Sequence, residues 1–260
     1  MTSGATSPLS RDALERALRT KRYGRSLELF TSTPSSMDEA RRAAEQGAPD
    51  GHLVVAEAQE QGRGSRGRSW SSPPGEDLYF SLVLRPALAP RARPPLTLAI
   101  GLAVALAVEA ATGIEAQVKW PNDVWLEGRK CAGVLVEATL GGPQDDAIVV
   151  GVGVNVNRTR FRQELEDTAT SLALVSGSMH DRALLLAAIL ASCEARVHAL
   201  EAGELDLLLE ALRPRLALRE ERVRCGERTG RLHGLAPDGA LLLEVDGQLE
   251  RCLTGPLSAI

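Results

Sequence analysis

Cysteine is scarce in this chain of 260 residues. Only Cys131, Cys193, Cys225 and Cys252 occur. None forms a CxxC pair, and no histidine stands at a zinc-site offset from one. A structural zinc site is excluded, and four free thiols in a reducing cytoplasm are expected. His52, His180, His198 and His233 do not cluster, so nothing supports a Ser–His–Asp triad. A carboxylate pair with glycosidase logic is absent too. The longest apolar run, Leu96 to Ala111, is short for a membrane span and contains Glu109. It predicts a buried helix and no membrane association. Met1 to Ser10 is small and polar, unlike a signal peptide. Positive charge is not in excess: 30 Lys and Arg against 34 Asp and Glu leave a net charge of -4. That balance argues against a broad nucleic-acid surface but permits a local pocket for a small anion.

What is present reads as one sizeable core with a small second domain. Ser10 to about Thr20 predicts a helix. Ser26 to Phe30 predicts a strand. Ser36 with Glu39 fits a capping box for a helix through Gln46. Strands are expected over His52–Ala58 and Asp77–Arg85, with a loop at Gln59–Ser69 between them. Pro94-Pro95 opens the apolar helix that ends near Gly113. Ala116–Trp120, Val124–Glu127, Cys131–Thr139 and Ala147–Val156 read as four strands with turns too short for helical crossovers, hence antiparallel. Helices follow from Asp181 to about Ala202 and from Glu204 to about Leu212. After Pro214 four short strands with tight turns suggest a small barrel.

Three stretches carry chemistry. In QGRGSRGRSW (Gln61–Trp70), glycines allow positive φ and close ligand approach, consecutive N–H groups can form an anion nest, and Arg63, Arg66 and Arg68 add planar donors for carboxylate or phosphate. Without a ligand these like charges should leave the loop mobile. In VKWPNDV (Val118–Val124), Asn122 and Asp123 can cap a turn or hold Mg²⁺, with Lys119 near for a phosphate. Lys130 follows at a strand start, and Ala132-Gly133 leave room beside it. In GVGVNVN (Gly151–Asn157), the glycine spacing fails the dinucleotide fingerprint, and no Walker loop occurs. What remains is a strand with Gly151 and Gly153 bare on one face, against which a flat ligand could lie.

In this order QGRGSRGRSW, KWPNDVW, RKCAGVLVEA and GVGVNVN resemble the motifs of the bacterial biotin–protein ligases, which biotinylate acetyl-CoA carboxylase. SSMDEA resembles that family's helix start, and GLAPDGALLLEVDG with GPLS its C-terminal domain. The likeness spans residues 26–260. It implies an α+β fold. Residues 1–25 would be an N-terminal extension with a helix. Residues 26–213 would form a catalytic domain like class II aminoacyl-tRNA synthetases, a mixed sheet flanked by helices. Residues 214–260 would form an SH3-like β-barrel.

The implied reaction joins biotin to ATP as biotinyl-5′-AMP, with Mg²⁺, and then transfers biotin to a lysine of a biotin carboxyl carrier protein. The resemblance implies that Ser35, Ser36 and Gln59 bind the ureido ring. Arg63, Gly64 and Ser65 would close over biotin, Lys130 would meet its carboxylate, and Gly133, Leu135, Gly151 and Gly153 would wall the slot. Met37 stands where many members have asparagine, losing a polar contact. Trp70 and Asn155 would receive adenine, Arg66, Arg68 and Lys119 the phosphates, and Asn122 and Asp123 the metal. Arg63, Lys119, Asp123 and Lys130 would form the catalytic set. Ser65 stands where arginine is common, with Arg66 placed to compensate.

About 25 residues precede the first expected strand, too few for the winged-helix repressor domain of some members, so no DNA binding is expected. A monomer and a homodimer are both compatible with the motifs. Two other readings compete: a lipoate–protein ligase, which shares the chemistry, and a nucleic-acid-binding module built on the arginine loop.

Overall fold

The structure is a computed structural model that describes residues 8–88, 94–138 and 147–260. Expectations for residues 1–7 and for Thr139 lie outside the described residues. Seven strands form the main sheet: β1 (Leu27–Phe30), β2 (His52–Ala56), β3 (Leu78–Leu84), β4 (Ala116–Lys119), β5 (Asp123–Leu126), β6 (Arg129–Ala138) and β7 (Ile148–Val154). Their order is β1-β2-β3-β7-β6-β5-β4. β1 and β2 are parallel, joined through helix α2 (Ser36–Glu45), and every other pairing is antiparallel. Short connections after β4, β5 and β6 impose that direction, as the turn lengths predict. The sheet is mixed and flanked by helices, as expected.

Strand parity sorts the two faces. Phe80 and Leu82 of β3, Val134 of β6 and Val150 and Val152 of β7 enter the large core. Helices α3 (Leu96–Thr112) and α5 (Arg182–Glu201) pack there, with α1 (Arg11–Ala17) against α5. α5 is long and apolar enough to cross a membrane, but half of it is buried within the fold. The opposite face is thinly covered. Among the described residues α2 is the helix that lies on it, through Met37, Ala40 and Ala44 against Val54, Val83 and Val149. That asymmetry leaves β6 and β7 partly open beside α2.

α2 begins differently from the capping-box expectation. Ser35 is the N-cap, without a side-chain cap bond. Ser36 lies inside the helix, and its hydroxyl meets Ser81 Oγ at 2.9 Å. Glu39 accepts instead from the Thr33 hydroxyl, so the two residues serve tertiary contacts. Two further elements are too short for periodicity to reveal: α4 (Leu172–Ser176), capped by Ser171, and a last strand, β12 (Leu257–Ala259).

The C-terminal strands β8 (Arg222–Cys225), β9 (Arg228–Leu235), β10 (Leu241–Val245) and β11 (Gln248–Cys252) join β12 in an antiparallel sheet ordered β11-β10-β9-β8-β12. Here the thiol expectation fails, because Cys225 and Cys252 form a disulfide. In a flat sheet β11 and β8, three spacings apart, would be separated by about 14 Å. Their cysteine Cα atoms are 6.7 Å apart, so the sheet curls until its far strands meet. A loop-poor spacing of 27 residues gives no hint of this. Cys131 and Cys193 are free and buried, and burial pushes both thiols up to about 12, which makes them unreactive. The Trp120 indole N–H donates to Gly239 O at 3.1 Å and joins this sheet to the main body.

One carboxylate ties the N-terminal segment down. Glu194 on α5 accepts from the backbone N–H groups of Lys21, Arg22 and Tyr23 at 2.8, 2.5 and 3.1 Å. Burial would raise its pKa, but the three N–H groups outweigh that and hold it below the ordinary value. Glu194→Gln is expected to lower stability by about 1 kcal/mol at pH 7. A folded pKa below the unfolded value, near 4.3, means the contribution is complete above that value and lost as pH falls through the folded one. Denaturant unfolding at both pH values should show the gap closing in acid; a pH-independent gap would contradict this.

Candidate active site

On the open face, Gly133 pairs with Gly153 and Leu135 with Gly151 across β6 and β7. Three glycines in so small an area leave bare backbone, and neighbours press into it. A Cβ on Gly151 would lie 2.6 Å from Met37 Sδ, and one on Gly153 would enter the Trp70 indole. At Gly133 the Lys130 Nζ and the Trp70 ring would each be 3.1 Å away. Glycine is required here for approach rather than for an unusual φ.

Lys130 owes its place to a β-bulge. Val124 pairs with Ala132, but Trp125 pairs with Lys130, so Cys131 is the extra residue. Strict alternation would put Lys130 and Gly133 on opposite faces. The bulge returns Lys130 to the open face and sends Cys131 into the core. Lys130 Nζ then lies 2.6 Å from Asp123 Oδ1 and 5.1 Å from the centre of the Trp70 ring. Lys119 Nζ sits 4.6 Å over the Trp125 ring. Burial lowers its pKa, Asp123 opposes the shift, and Lys130, Arg68 and Arg66 reinforce it. Positive charge outweighs negative around Lys119.

The arginine loop is closed rather than open. Gly64 N donates to Arg68 O and Trp70 N to Gly62 O, both at 2.7 Å, and Arg63 bridges Ser69. Its tip turns through Arg66 at φ 59° and Gly67 at φ 70°. Each arginine of the loop finds its own partner. Arg63 meets Asp38 and Glu137. Arg66 reaches out to Gly255 O in the C-terminal sheet, so it does not replace a charge beside Ser65. Arg68 is the arginine that touches Ser65: its Nη2 donates to Ser65 Oγ at 3.0 Å.

Two cavities meet at this point. A narrow slot of about 30 Å³ is lined by Ser35, Ser36, Met37, Gln59, Arg63, Gly64, Ser65, Asn122, Leu135 and the three glycines. A larger cleft of about 530 Å³ is lined by Arg68, Lys119, Asp123, Trp125, Asn155, Arg158, Phe161 and, from β12, Ser258 and Ala259. Gly64, Ser65, Trp70 and Lys130 line both. Polar atoms in the slot divide into used and unused. Gln59 holds the Ser36 N–H and the Ser72 hydroxyl, both at 2.8 Å. Among the described residues Ser35 Oγ, Arg63 Nε and Trp70 Nε1 are buried without a partner, as expected where a polar ligand completes the bonding. Asn122 donates to Val134 O at 2.9 Å and Asn155 to Thr170 O at 3.0 Å, so both carboxamides are partly committed to the fold. Among the described residues no group of three or more His, Cys, Asp or Glu could hold a metal.

Comparison with known proteins agrees with this geometry. Residues 29–155 match the model of the biotin/lipoate A/B protein ligase family. The biotin--[acetyl-CoA-carboxylase] ligase of Mycobacterium tuberculosis is 35% identical over 190-odd residues, 70% of each chain. The biotin protein ligase of Aquifex aeolicus, solved in complex with biotin and ATP, superposes with a TM-score of 0.80 at 30% identity, covering 90% of this chain and 98% of that one. The chain belongs to the biotin/lipoate A/B protein ligase family. The bifunctional ligase/repressor BirA of Bacillus spizizenii is 38% identical, and the match covers 72% of this chain and 58% of that protein.

Several residues that shape the ligase site carry no motif signal. Thr168–Ser171 runs beside β6: Lys130 N donates to Thr168 O at 2.8 Å and Thr170 N to Lys130 O at 2.9 Å. This strap fixes the backbone under the lysine and also receives Asn155. Arg158 binds Asp77 through Nε at 2.8 Å, with Ser71 O at 3.0 Å and Tyr79 Oη at 3.2 Å. Burial pushes the Asp77 carboxyl up, and Arg158, the Val156 N–H and Tyr79 pull against it. The cluster clamps the end of the arginine loop to the end of β7. Arg158 is far in sequence from its partners, so only folding reveals the cluster.

Gly153→Ala is expected to expel the Trp70 indole from the trench at about 1–3 kcal/mol of stability, the usual cost of overpacking. Acrylamide should then quench tryptophan emission more strongly, with far-ultraviolet circular dichroism unchanged. Equal quenching would show that Trp70 does not rest on Gly153.

Proposed function

We propose that this ligase activates biotin with ATP to biotinyl-5′-AMP and passes the biotinyl group to a lysine of a biotin carboxyl carrier protein. The observation that carries the reading is the junction of slot and cleft at Lys130 and Trp70. A reaction that joins a carboxylate to a phosphorus needs two ligand sites that open onto one cation.

In the first step a biotin carboxylate oxygen attacks the α-phosphorus, and pyrophosphate leaves. Lys130, between both cavities, would offset the charge gathering there, and Arg63 would hold the carboxylate. Ser35 is the hydroxyl free to meet the ureido ring; Ser36 and Gln59 would position it through bonds they already make. Met37 and the bare glycines would flank the bicyclic head. Trp70 would present one face to the adenylate, with Asn155 at the far wall. Arg68 and Lys119 would receive phosphates. In the second step the carrier amine attacks the acyl carbon and AMP leaves. Asp123, released by Lys130, would take the proton from that amine. Asp123 with Asn122 offers few protein ligands, which suits Mg²⁺ that arrives with the nucleotide and keeps phosphate and water in its shell. When bound, the ion would neutralise phosphate charge. A cytoplasmic setting, where the carboxylase works, belongs to the same proposal.

Incorporation of labelled biotin into a carrier domain tests the reading. Lys130→Ala is expected to lower the rate on the order of a hundredfold. Pyrophosphate exchange should respond to biotin and not to lipoate. Full activity in the variant, or exchange driven by lipoate, would overturn the assignment.

A further inference from the structure

Arg63 meets two carboxylates as it leaves the loop. Its Nη2 lies 2.9 Å from Asp38 Oδ1 and 3.4 Å from Glu137 Oε2. Arg41 takes the same two oxygens: Nη1 is 3.0 Å from Asp38 Oδ1, and Nη2 pairs with Glu137 Oε2. Each oxygen is therefore shared by two guanidinium groups, and four charges alternate in a closed ring. Asp38 and Arg41 come from α2, Glu137 from β6 two residues beyond Leu135, and Arg63 from the loop. Three separate elements converge on a ring at the edge of the slot.

Taken singly, the pairs in the ring are weak stabilisers. These side chains are between 32% and 42% exposed, a range in which ion pairs contribute about 0–1 kcal/mol. The donor inventory suggests another use. Nη2 of Arg63 is occupied, whereas Nε is buried without a partner, and the residue lines the slot. A guanidinium is rigid and planar, so holding one end fixes the direction of the other donors.

We propose that Asp38, Glu137 and Arg41 are positioning residues that hold Arg63 through Nη2, so that its free Nε–H is directed at the carboxylate of the ligand in the slot. The inference rests on the slot taking biotin, as proposed above. Arg41 has a distinct part in the ring. Without it, two carboxylates would face one arginine and would repel a third carboxylate entering the slot. With it the ring is neutral, and Arg63 keeps both its place and its attraction for the ligand.

The test is a calorimetric titration of the whole chain with biotin, in a double-mutant cycle of Asp38→Asn and Arg63→Ala. Asp38→Asn is expected to weaken binding about tenfold when Arg63 is present, the scale of one charged hydrogen bond. It should have no further effect once Arg63 is replaced. Asp38→Glu, which keeps the charge, should stay within about threefold of the native chain. Arg41→Gln should weaken binding more at low salt than at high salt, as charge repulsion requires. An unchanged affinity in Asp38→Asn, or the same loss with and without Arg63, would overturn the proposal. If the native chain bound no biotin, the functional reading itself would fall, and the positioning role with it.

Discussion

The contact between the Trp70 indole and the bare backbone of Gly153 organises the rest of the site. A single methyl group at that position would collide with the ring. Because it is missing, the ring lies on the sheet and divides one open face into a narrow slot and a wide cleft. The arginine loop must then fold back to deliver Trp70, and the Arg158–Asp77 cluster must clamp the residues that follow it. Even the thin cover on this face has a reason. Had a second helix packed beside α2, the trench would be core, and Gly151 and Gly153 would be ordinary strand positions.

Charge is distributed with similar economy. The chain is acidic overall, yet the cleft gathers Arg68, Lys119, Lys130 and Arg158. Most cations of the site have an acidic partner, whereas Arg68 donates to Ser65. Lys130 rests on Asp123, Arg158 on Asp77, and Arg63 on Asp38 and Glu137. Such pairing keeps like charges close before substrates arrive, and it leaves each paired cation able to exchange a protein carboxylate for a ligand anion. Lys119 has only the Trp125 face and the shared Asp123, and burial lowers its pKa accordingly. Of the loop arginines, Arg63 meets carboxylates, Arg66 a carbonyl and Arg68 a serine.

How far these features are legible in sequence depends on their range. Alternation and turn length specify the antiparallel β4–β7 run, and parity puts Gly151 and Gly153 on one face without any structure. The motifs around Arg63, Asp123 and Lys130 reveal the family because they are local. The bulge at Cys131 is not legible: one unpaired residue in a ten-residue strand leaves the hydrophobic pattern intact, yet it decides which face Lys130 occupies. The Cys225–Cys252 disulfide was hidden for a different reason. It depends on how strongly a small sheet curls, and cysteines at the ends of non-neighbouring strands look unrelated along the chain. Glu39 and Ser36 fit a capping box by spacing, but tertiary partners at Thr33 and Ser81 outcompete it.

The division of the site by Trp70 is tested most directly by a crystal structure of this chain with biotin and a non-hydrolysable ATP analogue. The account predicts the ureido ring in the slot beside Ser35 and Gly151, the adenine in the cleft toward Asn155, and the indole between them with Lys130 at the junction. Both ligands on one side of the ring, or an adenine bound away from the cleft, would contradict it.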